Sequence, residues 1–183
     1  MIIIKISNLK SQISKGFTLI ELLIVIALLG ALAVGLLATV DPFEQLKKGT
    51  DTSRRNTASE IYNAMIRYYS VKSTMPFTEE ISAMQASNDS MTDGAEGYLN
   101  MVISAGELKP EFIELAGSGN LSKIFITSTT IGTVERQNIS LCFKPESKSF
   151  SNDPNSQYDS DGVVSSGCLS DTPGGVPCYW CIK

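Results

Sequence analysis

Glu21 is a carboxylate in a run that is otherwise apolar, four residues after Phe17, and from Leu22 to Ala38 no side chain carries a charge or a hydrogen-bonding group. At membrane depth such a group costs about 3 kcal/mol on insertion scales and usually has a purpose there. One turn into a helix, at the level of the headgroups, it is cheap. Two readings therefore stand: an ion-pairing group for an apolar bundle, or a carboxylate still in reach of water. Two other sets of residues have chemistry to offer. Cys142, Cys168, Cys178 and Cys181 all fall in the last 42 residues, and Asp153, Asn155, Asp159 and Asp161 precede Gly162 in an oxygen-rich stretch.

An even number of cysteines in an exported domain reads as two disulfides, with three connectivities to choose from. A strand over 178–181 would point the sulfurs of Cys178 and Cys181 to opposite faces, out of each other's reach. The pairing taken is Cys168 with Cys178 and Cys142 with Cys181. A redox dithiol at Cys178-Tyr179-Trp180-Cys181 would want a helix N-terminus for its first sulfur, and a strand-like context supplies none. A four-thiolate zinc site would prefer two Cys-x-x-Cys pairs, and the chain has one.

Hard cations such as calcium take carboxylate and carbonyl oxygens on a flexible loop, which Asp153, Asn155, Asp159 and Asp161 would offer. Asp, Asn, Ser and Gly also make turns without any ion, and the turn is the expectation. No catalytic residue is expected. The chain has no histidine, the commonest general base and metal ligand. Nucleophile, base and oxyanion donors do not assemble in any recognisable spacing, and a phosphate-binding glycine loop is missing. Asn88, Asn120 and Asn138 each fit Asn-x-Ser, at a frequency chance explains.

These residues need elements to position them. From Phe17 to Val40 the apolar segment would be about 36 Å long as a helix, enough to cross a bilayer. Gly30 and Gly35 within it are five apart, one more than a small-x-x-x-small packing face requires. Before it lie Lys5, Lys10 and Lys15 and no acid. Positive flanks stay cytoplasmic, so everything after Val40 should be outside. A secretory leader would be cut after its apolar region; here the processing signal precedes it.

The junction Lys15-Gly16-Phe17-Thr18-Leu19-Ile20-Glu21-Leu22-Leu23 resembles the class III leader junction of type IV pilins and of the pseudopilins of type II secretion. The resemblance implies a leader over 1–16, removed by a prepilin peptidase that cuts between Gly16 and Phe17 and N-methylates Phe17. It implies that Glu21 of one subunit meets the Phe17 amine of its neighbour. A buried pair of this kind breaks even at best, yet losing one partner is costly, so it sets register. The implied partners are copies of the chain in a helical filament, the peptidase, an inner-membrane assembly platform with its ATPase, and membrane lipid before assembly. The implied locations are the inner membrane, single-pass with the N-terminus cytoplasmic, and then a filament at the cell surface. Major pseudopilins carry calcium in a comparable C-terminal loop, which keeps the calcium reading beside the turn.

Without the leader the chain loses three lysines and no acid, so its net charge moves from −4 to −7. An acidic surface argues against nucleic acid as a partner, since phosphate binding needs clustered cations. Asp41-Pro42-Phe43-Glu44 reads as a helix start with a capping glutamate; many pilins place their proline a few residues earlier. Phe43, Leu46, Thr50, Thr57, Ala58, Ile61, Ala64, Met65 and Tyr68 then recur as one helical face, and Lys47, Lys48, Asp51, Arg54, Arg55, Glu60 and Arg67 fall on the other. Arg54 and Arg55, Ile61, Ala64, Tyr68-Tyr69 and Met75-Pro76-Phe77 are similar to the helix end of major pseudopilins and related pilins.

Beyond Pro76, residues 78–94 read as a polar surface loop, 95–105 as a short helix, 121–127 and 138–143 as strands, Ser149-Phe150 as the start of a further pairing, and 178–182 as a last strand. The expected fold is α+β. A long N-terminal helix over 17–73, of which 17–40 is the membrane or filament-core part, carries a small antiparallel sheet in a head over 74–183. The function expected is the structural subunit of a type IV pilus-like filament. The alternatives are a major pseudopilin of type II secretion and a bitopic membrane protein with a binding or redox head that never polymerises.

Overall fold

Helix α1 runs from Leu19 to Thr39 and is apolar on every side, because the sequence supplies nothing but apolar and small residues after Glu21. In the computed structural model, residues 16–39, 41–77, 79–94, 97–130, 137–165 and 178–183 are described. The chain divides at Asp41 into two units. In the first, Leu19–Leu37 is long and apolar enough to cross a membrane, and none of it is buried within its own chain. A helix apolar all round belongs in lipid or among other helices.

The second unit is built on helix α2, Pro42–Lys72. Pro42 opens it, as its fixed φ and missing N–H allow. It ends where Ser73 turns into the left-handed region (φ 58°) and donates its N–H to Tyr69 O at 2.7 Å. Strands β1 (Ile81–Gln85), β2 (Ile124–Thr130), β3 (Gln137–Phe143) and β4 (Trp180–Ile182) form one antiparallel sheet in the order β1-β2-β3-β4. Ile124 and Ile126 from β2 and Ile139, Leu141 and Phe143 from β3 are buried with Ala58, Ile61, Ala64, Met65 and Tyr68 of α2 in one core. Each large side chain buried this way contributes about 1.5–3 kcal/mol. The α+β reading and the antiparallel sheet are what the structure shows.

Helix α3 (Asp89–Thr92), α4 (Tyr98–Ser104), α5 (Phe112–Ala116) and α6 (Ser118–Leu121) fill the connection between β1 and β2, and α7 (Lys148–Ser151) follows β3. Three expectations fail here. The 78–94 loop contains β1 and α3. Only Ile81 in β1 is β-branched, so propensity is silent. The strand exists because β2 offers it an edge, with a register shift between Ile81 and Met84 and Ala83 at φ 38° donating to Thr127 Oγ1. Leu121 belongs to α6 and not to a strand. Ser149-Phe150 is not a strand start: Ser147 caps a helical turn by accepting the Phe150 N–H, and Phe150 turns inward onto Phe143.

Side-chain assignments on α2 also reverse. Phe43 and Leu46 are 72% and 69% exposed, while Asp51 and Arg54 are 0% and 6% exposed. Helical geometry accounts for the burial of Asp51 and Arg54. Asp51 lies seven residues before Ala58 and Arg54 seven before Ile61, so both sit on the core-facing stripe. Their charge, weighed without their position, had put them outside.

Residues 157–165 lie over the sheet. Tyr158 bridges to Val164 and to Tyr179, Ser82 Oγ donates to Asp161 Oδ1 at 2.7 Å, and Gly162 lies against Ser140 of β3. Gly162 has φ +71°, and a Cβ there would stand 2.8 Å from both Cβ and Oγ of Ser140. Gly162→Ala should therefore destabilise the head by about 2–4 kcal/mol, from the left-handed backbone and the overlap together. In denaturant melts, adding Ser140→Gly should recover the part due to overlap. Strict additivity of the two substitutions would contradict the contact.

Candidate functional site

Gly16 and Phe17 precede the helix in exposed, irregular backbone, and Leu19 is the first helical residue. The peptide between them is thus accessible and not locked into helical hydrogen bonds. Thr18 and Glu21 form a capping box that the sequence reading missed, although Thr-x-x-Glu before an apolar run is its signature. The Thr18 N–H and hydroxyl both donate to Glu21 Oε2 at 2.8 Å, and the Glu21 N–H is directed back at Thr18 Oγ1 at 3.3 Å. In the single chain the carboxylate therefore has local donors, which reduce the cost of holding it in an apolar segment. Its side chain is exposed and free to exchange them for a stronger donor.

In the head, Cys142 and Cys181 face each other across β3 and β4 and are joined as a disulfide with a Cα–Cα distance of 4.2 Å. Cys178 is half-buried, and Cys168 lies outside the described residues. Because Cys181 is bonded to Cys142, it makes neither a dithiol with Cys178 nor a thiolate ligand for zinc.

The oxygen-rich stretch does the work of turns. Asp153 Oδ1 accepts the Asn155 N–H at 2.8 Å, and Asp159 Oδ1 accepts the N–H groups of Asp161 and Val163 at 3.0 and 2.9 Å. Asp161 is engaged by Ser82. Among the described residues, no three acidic or thiol side chains gather where they could share a metal ion. Asp153 and Asp159 thus each close an Asx-type turn. Of the three Asn-x-Ser asparagines, Asn88 caps α3 and Asn120 reaches Ser53 and Thr57 of α2.

Among the described residues, one heavily bonded polar group is Asp51, which the sequence did not single out. Asp51 Oδ2 accepts the Ser147 N–H at 2.8 Å, its hydroxyl at 2.7 Å and the Glu146 N–H at 3.0 Å. Arg54 stands beside it at 3.5 Å and reaches Glu146 Oε1 at 2.8 Å. Two helical turns earlier, Glu44 Oε2 accepts the Lys148 N–H at 3.0 Å. Three successive backbone N–H groups, 146 to 148, are thus held by two carboxylates on one side of α2. The seven-residue spacing of Glu44 and Asp51 was legible; their partners, about a hundred residues on, were not.

The Lys148 N–H holds Glu44 below the ordinary carboxylate range. A folded-state pKa lowered in this way means that the contact's contribution is present above the ordinary Glu value and lost as pH falls through the lowered one. Glu44→Gln should therefore lower the melting temperature at neutral pH, and the gap to the parent chain should close between about pH 6 and pH 3. A gap that stays constant across that range would contradict the contact.

Residues 12–37 match the model described as the prokaryotic N-terminal methylation motif. No curated protein and no solved structure matches the chain. The matched residues run from the basic flank across Gly16, Phe17 and Glu21 into α1, the segment whose exposed junction and capping box are described above. The chain therefore carries the N-terminal methylation motif, the class III signal peptide found in type IV pilins and pseudopilins, ahead of a helix long and apolar enough to anchor a precursor in a membrane.

Proposed function

We propose that this protein is a structural subunit of a type IV pilus-like filament. The single observation that carries this reading is the methylation motif over the Gly16–Phe17 junction, continuous with an all-apolar helix that its own chain leaves uncovered. A precursor is stored in the inner membrane with its N-terminus in the cytoplasm. A prepilin peptidase cuts after Gly16 and methylates Phe17, and an assembly platform with its ATPase draws α1 out of lipid into a bundle of identical helices. There the Phe17 amine of one subunit displaces Thr18 from the Glu21 carboxylate of the next. The heads form the outer wall. The chain catalyses nothing; its activity is assembly. A head stapled by Cys142–Cys181 favours a filament that works in an oxidising exterior.

Mass spectrometry of the native protein, with electron microscopy of the sheared cell-surface fraction, tests the proposal. The expected result is a chain that begins at N-methylated Phe17 and sediments as filaments. A solitary chain that begins at Met1 would overturn it and favour a bitopic protein with an exposed head. A processed chain confined to short periplasmic assemblies beside a secretin would indicate a secretion pseudopilus.

A further inference from the structure

At the end of the sheet where β2 begins and β3 finishes, a cleft of about 490 Å³ opens between α2 and the strand ends. Arg54, Lys123, Phe125, Lys144, Pro145 and Tyr179 line it. The Phe125 and Tyr179 rings meet edge to face at 5.7 Å and give it an apolar floor. Arg54 is paired with Asp51 and Glu146, and Lys123 and Lys144 make the cleft locally positive in a chain whose net charge is negative. The Arg54 side chain is 8% exposed, and its Nε has no hydrogen-bond partner among the described residues.

Helix α5 presents an exposed leucine with charge of the opposite sign. Phe112 anchors it in the core, while Leu115 projects with 76% of its surface exposed, flanked by exposed Glu111 and Glu114. Lys109 is the cation nearest to it in the chain, and Glu60 of α2 adds a further acid to the same patch. An isolated exposed leucine needs no explanation; one between two carboxylates matches a basic cleft with an aromatic floor. The two do not meet within one molecule. Leu115 stays exposed and lies beside Thr57 and Glu60 of α2, whereas the cleft lies at Arg54. Along the helix axis these positions differ by roughly 5–9 Å.

We propose that the cleft of one subunit receives α5 of the next, with Leu115 against Phe125 and Tyr179 and with Glu111 and Glu114 facing Lys123 and Lys144. The contact rests on the filament reading and deepens it. A knob and a cleft on different surfaces make a heterologous contact, which propagates along a helix and does not close into a pair. Charge complementarity across the contact selects the axial register and rejects like-charged alternatives. Single pairs of this exposed kind are weak, but subunits already held side by side by α1 engage them at high effective concentration.

The full chain, expressed with its assembly machinery, tests this. Lys123→Glu with Lys144→Glu should lower the yield of sheared filaments by roughly tenfold, as should Glu111→Lys with Glu114→Lys. All four together should return it to within about twofold of the parent. A photo-crosslinking residue at position 115 in the otherwise unaltered chain should yield a ladder of covalent oligomers, with cross-linked peptides containing 123–125, 144–145 or 179. Processing at Phe17 should be unchanged in every variant, and if a reversed variant fails to accumulate, the cross-linking decides. Silent reversals, a quadruple variant no better than the doubles, or cross-links only elsewhere would overturn the docking while leaving the filament intact. A parent chain that never forms filaments would overturn both readings.

Discussion

Asp51→Ala should destabilise the head by about 3–5 kcal/mol, more than any other single substitution outside the apolar core. Its carboxylate is fully buried and takes the N–H groups of Glu146 and Ser147 and the Ser147 hydroxyl, with Arg54 beside it. Removing one partner of a buried ionic cluster leaves the others desolvated and unpaired, a loss of about that size. Ser147 also caps α7, so the turn at 145–148 should loosen from α2 together with Phe150. In the detergent-solubilised chain the expected drop in melting temperature is about 10 °C or more. Asp51→Asn keeps the shape but turns an amide N–H towards donors, and should fall between the two. An Asp51→Ala protein that melts like the parent would show that the carboxylate does not hold the turn.

Glu21→Ala should leave membrane insertion and cleavage after Gly16 intact and abolish filaments. The first half follows from the capping box. Glu21→Ala removes only the returning half of the capping box, leaving Thr18 in place at the helix start, while the Gly16–Phe17 peptide lies outside the helix either way. The second half follows from the proposed assembly. Each added subunit would bury a Phe17 ammonium with no counter-charge, a cost of about 3–5 kcal/mol per contact, or at least a hundredfold in each association step. Immunoblots for cut precursor in the membrane, set against the sheared fraction, read both halves. Filaments that assemble normally with alanine at 21 would remove the carboxylate from the interface. Cleavage that fails would place Glu21 in recognition by the peptidase.

The different fates of Glu21 and Asp51 show how far a linear reading reaches. Glu21 stands out because its surroundings are apolar over many residues on one side, a property visible without any fold. Asp51 is surrounded by ordinary polar residues of α2, and its importance comes from a turn about a hundred positions later. The same division separates the strands. In β2 and β3 the runs Ile124-Phe125-Ile126-Thr127 and Ile139-Ser140-Leu141-Cys142-Phe143 are rich in β-branched and aromatic residues and pair along their full length. In β1 the run Ile81-Ser82-Ala83-Met84-Gln85 has little intrinsic preference and becomes a strand by pairing with β2. The oxygen-rich stretch reads equally as an ion site or as turns, because both need the same side chains. The turns themselves are made by hydrogen bonds from nearby N–H groups to Asp153 and Asp159.

What the amino-acid order determines by itself is local: the leader junction at Gly16 and Phe17, an apolar helix long enough for a bilayer, the carboxylate near its start, and the periodic stripe from Ala58 to Tyr68. Each depends on spacing within a few turns of one helix, where geometry converts position into direction. What only the tertiary structure decided is which distant groups meet. Gly162 lies against Ser140, Asp51 receives the 146–147 turn, and Phe43 and Leu46 are left outside. The physical reason is that burial of a side chain depends on what is packed over it, and that covering comes from chain far away in sequence. Near neighbours determine where a helix points its residues; only the remote partner determines whether a charge there is solvated or enclosed.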